Sequence, residues 1–247
     1  MHPALVSNGP LVFAHRGGSK IGPENTLVAF DRGLAAGADG LELDVHLSRD
    51  RIVVVHHDRL LDRTTRGTGP LNARTTSELA ELDIPTLRDV LARYPGRKII
   101  VELKEPSAEL ARAVVDEVRR ANAIDHVCIG SFSVSALRAV RAYAPDVATS
   151  AARMEARIAL YRSWCSLSPG RVPYQAFQVP ETSGNTRVVS RRFVKLAHKA
   201  GLIVQVWTVD EPDDIRRLLD WGVDGIISDR PDVAVETLQD WRRRRRP

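Results

Sequence analysis

Short apolar segments alternate with amphipathic helical segments along the whole chain. The segments typical of buried strands comprise residues 11–15, 40–45, 98–104, 126–132, 147–152, 176–181, 202–209 and 225–229. Between them, apolar residues recur at helical spacing, as in "SAELARAVVDEVRRA", where Leu110, Val114 and Val118 share one face. Eight strand–helix units in 247 residues match the size of a closed (β/α)8 barrel, whose strands are buried on both sides.

An open, doubly wound sheet is the alternative α/β architecture. It usually has a G-x-G-x-x-G turn after its first strand, and "HRGGSKIGPE" does not fit that spacing. Residues 58–84 break the regular alternation because they form a long, polar, turn-rich segment after the second strand. We therefore predict a single (β/α)8 TIM-barrel catalytic domain, residues 1–247, with a small insertion at residues 58–84.

The positive charge of the chain is concentrated at its C-terminus. The formal net charge is +5, and the run Arg242–Arg246 alone supplies five positive charges. The rest of the chain is therefore electrically balanced and gives no reason to expect a nucleic-acid-binding surface. We predict that residues 242–247 form a basic, solvated and partly frayed tail; weak contact with an acidic membrane surface is its alternative role.

Three further features bear on the compartment in which the protein works. The two cysteines, Cys128 and Cys165, cannot form a disulfide framework, and the N-terminus lacks the pattern of a secretory leader. No window of 18 apolar residues predicts a transmembrane helix. We expect a cytoplasmic protein without a transmembrane segment, and the sequence gives no signal for its oligomeric state.

Carboxylates are placed on one face of two strands. Glu42 and Asp44 are two residues apart in "GLELDV" and so project to the same side, and Glu102 and Lys104 do so in "IIVELK". Three carboxylates at neighbouring strand ends suit a hard divalent cation such as Mg²⁺ or Ca²⁺. The alternative is a lattice of salt bridges in which Lys104 and arginines pair with these acids.

Histidines stand where two strands end. His15 closes the first strand and precedes Arg16, Gly17 and Gly18, and His57 ends "IVVVHH". Imidazole titrates near neutral pH, so two such histidines can act as general acid and general base. The guanidinium group of Arg16 suits a phosphate, and the two glycines would let the backbone approach a ligand closely.

This set of residues suits attack on a phosphodiester. A cation would polarise the phosphoryl oxygens, while one histidine activates the nucleophile and the other protonates the leaving alkoxide. The sequence contains no G-x-S-x-G nucleophile elbow, which favours attack by water or by a hydroxyl group of the substrate.

Several motifs, taken together and in order, resemble the glycerophosphodiester phosphodiesterase family. They are "HRGGSKIGPENTLVAF", "GADGLELDVHLSRDRIVVVHHDRLLDRTT", "DIPTLRDVL", "VELK", "GSFS", "VWTVD" and "DGIISDRPD". The resemblance extends from Leu11 to about Asp232. It implies a (β/α)8 barrel with a small insertion after the second strand, and metal-dependent hydrolysis of glycerophosphodiesters to sn-glycerol 3-phosphate and an alcohol.

The resemblance also implies one divalent ion, Mg²⁺ or Ca²⁺, and a role for each matching residue. The implied metal ligands are Glu42, Asp44 and Glu102, the acid–base pair is His15 and His57, the phosphate- and substrate-binding residues are Arg16, Lys104, Phe132 and Trp207, and the supporting residues are Glu24 and Asn25. Which histidine is the acid, and which head group is preferred, do not follow from the sequence.

Two other functions compete with this one. A lysophospholipase D on the same scaffold would need an apolar channel or a membrane-facing helix near the barrel mouth, and the polar insertion at residues 58–84 argues against it. A non-catalytic barrel that binds a phosphorylated ligand would be expected to lack a histidine or a metal carboxylate, and all of them are present.

Overall fold

Eight parallel strands form the wall of a nearly closed barrel in the computed structural model, which describes residues 2–245. The strands in chain order are β1 (Leu11–His15), β2 (Gly40–Leu47), β3 (Val53–Val55), β4 (Lys98–Leu103), β5 (Val127–Gly130), β6 (Ala148–Thr149), β7 (Ala176–Pro180), β8 (Thr182–Ser183), β9 (Thr186–Arg187), β10 (Ile203–Trp207) and β11 (Gly225–Ser228). Strand β1 pairs with both β2 and β11. From β1 the sheet runs in one direction through β2, β4, β5 and β6, and in the other through β11, β10 and β7. The backbone N–H of Ala151 donates to the carbonyl of Ala176 at 2.8 Å and joins the two ends. The predicted barrel is confirmed, and the open sheet is excluded.

Helices connect these strands and cover the outside of the barrel. They are α1 (Leu27–Ala35), α2 (Thr76–Ala80), α3 (Leu87–Arg93), α4 (Ala108–Arg120), α5 (Val134–Tyr143), α6 (Arg153–Trp164), α7 (Arg191–Lys199), α8 (Pro212–Trp221) and α9 (Pro231–Arg244). Serine caps such as Ser107, whose hydroxyl accepts from the N–H of Leu110, fix where several helices begin. Gly222, with φ of +89°, ends α8 in the left-handed conformation that glycine adopts readily.

Side chains of β2 alternate between the helices outside the barrel and the barrel interior. Leu41, Leu43 and Val45 are fully buried against the surrounding helices. Glu42 and Asp44 therefore face the interior, as a period of two requires. The strand continues to Leu47 and pairs antiparallel with β3, which lies outside the barrel wall.

Apolar side chains fill the lower part of the barrel. Phe13, Ile100 and Ile227 form one interior cluster. A single helical turn, Pro3–Leu5, covers the floor, and the ammonium group of Lys98 donates to two of its backbone carbonyls at 3.0 Å each. The barrel is thus closed at this end, and Gln205, the polar side chain buried deep inside it, is paired with Gln178 at 2.9 Å.

Residues 58–84 form a small ordered unit against β3. Within it, the helix α2 begins with a capping box in which Thr75 and Glu78 bond reciprocally. The unit has a hydrophobic cluster of its own with one residue of β3, made by Leu61, Leu71, Leu79, Ile84 and Val54. These contacts give the insertion a fixed position beside the mouth of the barrel.

Some details differ from the sequence-based expectations. The strand predicted over 147–152 shrinks to Ala148–Thr149, and a short hairpin, β8–β9, follows β7. Residues 242–244, predicted as frayed tail, continue α9, and Arg245 donates to Asp220 at 2.7 Å. Residues 246–247 lie outside the described part of the chain. Across residues 2–245, no helix has both the length and the apolar content that a bilayer crossing needs.

Candidate active site at the carboxyl ends of the barrel strands

Three carboxylates meet at the mouth of the barrel. Asp44 on β2 lies directly beside Glu102 on β4 in the parallel register, and Glu42 shares the inward face of β2. One oxygen from each of Glu42, Asp44 and Glu102 lies within 4.8 Å of the other two. Glu42 and Asp44 are only 4% and 1% exposed. The structure thus brings together the three metal ligands predicted from the sequence.

This proximity changes the protonation behaviour of the cluster. Burial and the charge of Asp44 raise the pKa of Glu42 to about 8. Burial and repulsion from Asp44 also raise the pKa of Glu102. Burial acts in the same direction on Asp44, but Lys104 and Arg16 outweigh it and hold the pKa of Asp44 below its ordinary value. Without a further cation, the cluster therefore retains a proton on Glu42 at neutral pH.

Two cationic side chains contact the cluster. The ammonium group of Lys104 lies 3.2 Å from Asp44 Oδ1 and 3.1 Å from Glu102 Oε1. Arg16 Nε lies 3.3 Å from Asp44 Oδ2, although it has no hydrogen-bond partner of good geometry. The salt bridges considered from the sequence therefore exist, but both cations contact Asp44. Within residues 2–245, the one hydrogen bond that Glu42 accepts comes from the backbone N–H of Arg16, at 3.1 Å. Lysine and arginine contacts account for only part of the negative charge.

The loop after β1 is held in place by Glu24 and Asn25. Asn25 adopts a φ of +59° and is 2% exposed. Its amide nitrogen donates to Asp44 Oδ2 at 3.0 Å, and its backbone N–H donates to the carbonyl of Arg16 at 2.9 Å. Glu24 accepts from the guanidinium group of Arg16 at 3.0 Å. Both residues thus orient side chains of the site.

The two glycines after Arg16 permit close packing of the loop against its neighbours. Gly17 and Gly18 have φ of +86° and +95°. A Cβ atom on Gly17 would lie 2.8 Å from the backbone of Ala29, and one on Gly18 would lie 2.9 Å from the ring of Pro231. The expectation that these glycines admit a ligand is replaced by a packing role against α1 and the start of α9.

Each of the two predicted catalytic histidines is bound to an aspartate. His15 Nδ1 lies 2.6 Å from Asp229 Oδ1, and its Nε2 points toward Glu42 Oε2 at 3.7 Å. His57 Nδ1 lies 2.5 Å from Asp58 Oδ1. Burial by itself would lower the pKa of His15. The negative charges of Glu42 and Asp229 outweigh this effect, so the pKa of His15 is raised. Burial dominates at His57 and lowers its pKa.

Asp229, Asp58 and Arg63 were missed by the sequence analysis as site residues. Asp229 follows the last barrel strand, and its place at a strand end is the signal that could have identified it. Arg63, in the insertion, donates from Nε to Asp58 at 2.6 Å and from Nη2 to Glu24 at 2.7 Å. An arginine of the insertion therefore links the support of His57 to the loop that follows β1.

The other histidines near the site play structural parts. His46 lies behind the cluster, 2% exposed, where its Nδ1 is 2.8 Å from Glu105 and its Nε2 is 3.1 Å from the carbonyl of His57. It therefore lies outside the lining of the cavity. His56 Nε2 is 3.3 Å from the carbonyl of Leu60, so this side chain also bonds to the backbone.

A cavity of about 650 Å³ opens over the carboxylates. The predicted catalytic, metal-binding and phosphate-binding residues all line it, namely His15, Arg16, Glu42, Asp44, His57, Glu102 and Lys104. Phe132 and Trp207 line it as well, and their rings meet edge to face at 5.8 Å. Phe132 lies beside the predicted phosphate-binding groups, since the ammonium group of Lys104 is 5.8 Å from the centre of its ring.

Comparison with known proteins gives consistent results. The model of the glycerophosphoryl diester phosphodiesterase family matches residues 15–233. A glycerophosphodiester phosphodiesterase of Caldanaerobacter subterraneus is 32% identical over 249 residues, covering 93% of this chain and 98% of that protein. Among solved structures, a glycerophosphodiester phosphodiesterase from Agrobacterium tumefaciens matches with a TM-score of 0.77 and 27% identity, over 93% of this chain and 99% of that one. A phosphodiesterase from Oleispira antarctica, solved with the product sn-glycerol-3-phosphate, matches with a TM-score of 0.75 and 25% identity, over 94% and 97%.

Proposed function

The chain belongs to the glycerophosphoryl diester phosphodiesterase family, and we propose that the cavity at its barrel mouth carries out the family's reaction. That reaction is the metal-dependent hydrolysis of a glycerophosphodiester to sn-glycerol 3-phosphate and an alcohol. The observation that carries the proposal is the buried cluster of Glu42, Asp44 and Glu102, flanked in one cavity by two histidines that are each bonded to an aspartate.

The residues of the cluster fit a hard divalent ion. All three donors are carboxylate oxygens close enough to share one ion. Burial, followed by the charge of Asp44, raises the pKa of Glu42 to about 8, and Arg16 and Lys104 pair with Asp44 instead of Glu42. We propose one Mg²⁺ or Ca²⁺ ion, held by Glu42, Asp44 and Glu102. When bound, such an ion supplies Lewis-acid polarisation of a phosphoryl oxygen.

Charge balance also supports a phosphodiester anion as the ligand. The three carboxylates carry three negative charges, and Arg16 and Lys104 carry two positive ones. A dication would leave one positive charge in excess, which is the charge that a phosphodiester monoanion neutralises. Arg16 and Lys104 would therefore bind the phosphate through charge-assisted hydrogen bonds while they continue to hold Asp44 ionised.

Proton transfer is assigned to His15 and His57. One imidazole accepts the proton of the attacking water or substrate hydroxyl as its oxygen bonds to phosphorus. The other donates a proton to the oxygen of the leaving alcohol as the phosphorus–oxygen bond breaks. Asp229 and Asp58 hold the Nδ1 atoms, so Nε2 is the nitrogen of each ring assigned to this role; in His15 it lies 3.7 Å from Glu42 Oε2. Arg63 and Glu24 keep Asp58 and Arg16 in position.

The whole chain is proposed to act as one catalytic domain. The insertion at residues 58–84 belongs to it, since Arg63 contacts residues of both the first loop and the His57 loop. The proposed partner is a small-molecule glycerophosphodiester. A cytoplasmic location remains a prediction, and so does weak contact of the arginine tail with a membrane. A non-catalytic phosphate-binding barrel is disfavoured, because both histidines keep their aspartate partners and face the cavity.

The direct test is hydrolysis of glycerophosphocholine by the purified protein. We expect release of sn-glycerol 3-phosphate and choline with Mg²⁺ or Ca²⁺, none after treatment with a chelator, and recovery when the ion is restored. Glu102→Gln should lose the reaction, whereas Glu236→Gln, which alters an exposed carboxylate on α9, should retain it. Turnover that survives complete removal of divalent ions would refute the metal assignment.

A further inference from the structure

The outward face of α6 is unusually apolar for the surface of a barrel. Along this helix and the turn after it, five large apolar side chains are between 46% and 55% exposed, namely Met154, Ile158, Tyr161, Trp164 and Leu167. They are five of the eleven large apolar residues found exposed in the described part of the chain. Such a concentration is typical of an interaction surface, whereas single exposed apolar residues are ordinary.

The exposed apolar residues of α6 form one row along the helix. Met154, Ile158 and Tyr161 are four and three residues apart, so about 3.6 residues per turn places them above one another. The opposite side of the helix packs on the barrel through its buried residues, which are Ala156, Ala159, Leu160 and Ser163. Helix α6 therefore has two apolar faces, and one of them points away from the rest of the protein.

Arginines flank this row on both sides. By the same helical spacing, Arg157 lies on one side of the row and Arg162 on the other. Arg153 lies one turn before Arg157, and Arg171 follows the helix. All four are exposed. The outward face of α6 thus combines an apolar row with positive charge at its margins.

The charge of these arginines is not neutralised by the protein. Among residues 2–245, no carboxylate lies within 4.0 Å of the guanidinium group of any of the four. The one acidic residue of the segment 153–171 is Glu155, which Arg141 binds at 2.7 Å. Arg162 donates instead to the carbonyl of Ser168 at 2.9 Å. The segment therefore offers positive charge to an external partner.

We propose that this face of α6 binds the surface of an anionic lipid bilayer. An apolar row flanked by basic residues is the pattern of a helix that lies in the plane of a membrane. The apolar side chains enter the boundary between head groups and acyl chains, where tyrosine and tryptophan are favoured. The arginines at the margins remain among the lipid phosphates and bind them by charge.

The distribution of charge favours a bilayer over a second copy of the chain. A two-fold dimer formed through the apolar row would bring Arg157 and Arg162 of each copy close to the same residues of the other. Since the segment has no free carboxylate to pair with them, these charges would repel across the contact. An anionic bilayer supplies the opposite charge over the whole face.

The proposed contact surface is separate from the cavity and from the arginine tail. Met154, Ile158 and Leu167 lie outside the cavity lining. The tail begins at the other end of the barrel, because Arg242 donates to the carbonyl of Pro10, just before β1, at 2.7 Å. Variants can therefore change one surface at a time.

The test is cosedimentation of the purified protein with lipid vesicles. Vesicles of phosphatidylglycerol and phosphatidylcholine in equal amounts are compared with vesicles of phosphatidylcholine alone. We expect at least about tenfold stronger binding to the anionic vesicles, because each arginine near such a surface contributes about fivefold. Raising the salt concentration from about 0.1 M to about 0.5 M should weaken the binding by screening these charges. Excess glycerol 3-phosphate, which would occupy the cavity, should leave it unchanged.

Two double variants of α6 connect the binding to this face. Met154→Gln with Ile158→Gln should lower the affinity for anionic vesicles at least about tenfold, since less apolar surface leaves water. Arg157→Gln with Arg162→Gln should lower it by about 25-fold. All four positions are exposed and glutamine is a good helix former, so α6 should keep its fold. An unchanged Tm confirms this for each variant.

Two controls match these changes. Val28→Gln with Leu60→Gln replaces two apolar side chains that are each 51% exposed, on α1 and in the insertion. Arg243→Gln with Arg244→Gln removes two positive charges from exposed positions at the end of α9. Both controls should bind anionic vesicles as the wild type does.

Each of several results would overturn the proposal. Binding without preference for phosphatidylglycerol, or equal binding by the wild type and the α6 variants, would exclude this face. A loss confined to Arg243→Gln with Arg244→Gln would assign the contact to the arginine tail, and displacement by glycerol 3-phosphate would assign it to the cavity. A dimer in solution that Met154→Gln with Ile158→Gln dissociates would assign the face to a second copy. All of these results leave the proposed function standing, because hydrolysis of glycerophosphocholine tests it separately.

Discussion

Replacing Glu42 by glutamine should stabilise the metal-free protein while it removes metal binding and activity. Glutamine has nearly the same shape, and its carbonyl oxygen can still accept the backbone N–H of Arg16 that Glu42 accepts at 3.1 Å. What disappears is one negative charge within 4.8 Å of carboxylate oxygens of Asp44 and Glu102. The same charge that repels its neighbours in the metal-free state is needed to hold a dication.

The size of the effect follows from this geometry. At a separation of no more than 4.8 Å, two unit charges repel by at least about 3 kcal/mol when the effective dielectric constant is about 20. His15 and the backbone N–H of Arg16 attract the same carboxylate and offset part of this repulsion, so we expect a net gain of about 2 kcal/mol. In a protein of 247 residues, this corresponds to a rise in Tm of about 4–8 °C.

The gain should depend on pH in a defined direction. The pKa of Glu42 is about 8 in the folded protein and 4.5 ordinarily. Between these values the folded state keeps a proton that the unfolded chain has released, so the metal-free wild type loses stability as pH rises. The advantage of Glu42→Gln should therefore be small near pH 5 and full above pH 8.

Thermal unfolding in chelator, at pH 5 and pH 8.5, measures this directly. Addition of Mg²⁺ or Ca²⁺ should then raise the Tm of the wild type and leave that of Glu42→Gln unchanged. Glu236→Gln is the control for loss of a carboxylate outside the cluster. If Glu42→Gln were no more stable than the wild type at pH 8.5, or responded to the ion as the wild type does, the account of the cluster would be wrong.

Three further changes test other parts of the site and the fold. His15→Ala and His57→Ala should each lower kcat by about 10²–10⁴-fold with the Tm response to metal retained; near-normal turnover would remove that residue from proton transfer. Asp229→Asn should lower kcat by about 10–100-fold, since His15 loses a charged hydrogen-bond partner, and single-turnover rates would reveal this. His198→Gln should lower stability by less than about 1 kcal/mol at pH 5.5 and leave it unchanged at pH 9. The hydrogen bond to Asp224 raises the pKa of His198, so the stabilisation is present below pH 6.5 and is lost as pH rises through the raised value; equal effects at both pH values would contradict it.

The sequence was sufficient to predict the barrel because its strands are short, apolar and regularly spaced. The sequence was less informative about where strands end and about short strands outside the barrel. Strand β6 has two residues where six were expected, because beyond Thr149 only an isolated bridge between Ser150 and Ala176 connects the segment to β7. The hairpin β8–β9 escaped notice, since two-residue strands around Gly184 carry too little pattern to stand out.

The site was predictable as far as local spacing reaches. The alternation of polar and apolar residues within one strand identifies Glu42 and Asp44. The same alternation in the next barrel strand identifies Glu102. The partners of the histidines depend on contacts between distant parts of the chain. Asp229 lies 214 residues from His15, and Arg63 meets Glu24 across 39 residues. No local pattern records such pairs.

The apolar surface of α6 was hidden for a different reason. The helix is apolar on its buried face, at Ala159 and Leu160, and also at exposed positions such as Ile158 and Tyr161. Its sequence therefore lacks the alternation of faces that identifies an ordinary surface helix. The property that weakens the helical signal also leaves large apolar side chains exposed on this helix.

The position of the site at the rim of the barrel has a consequence for how such an enzyme diversifies. Glu42, Asp44 and Glu102 stand on strands whose pairing fixes them in the barrel wall. Other residues that line the cavity, such as Tyr161 and Val188, lie on α6 and next to the β8–β9 hairpin, outside that sheet. Substitutions there can change which substrates are accepted while the residues that carry out the reaction stay the same.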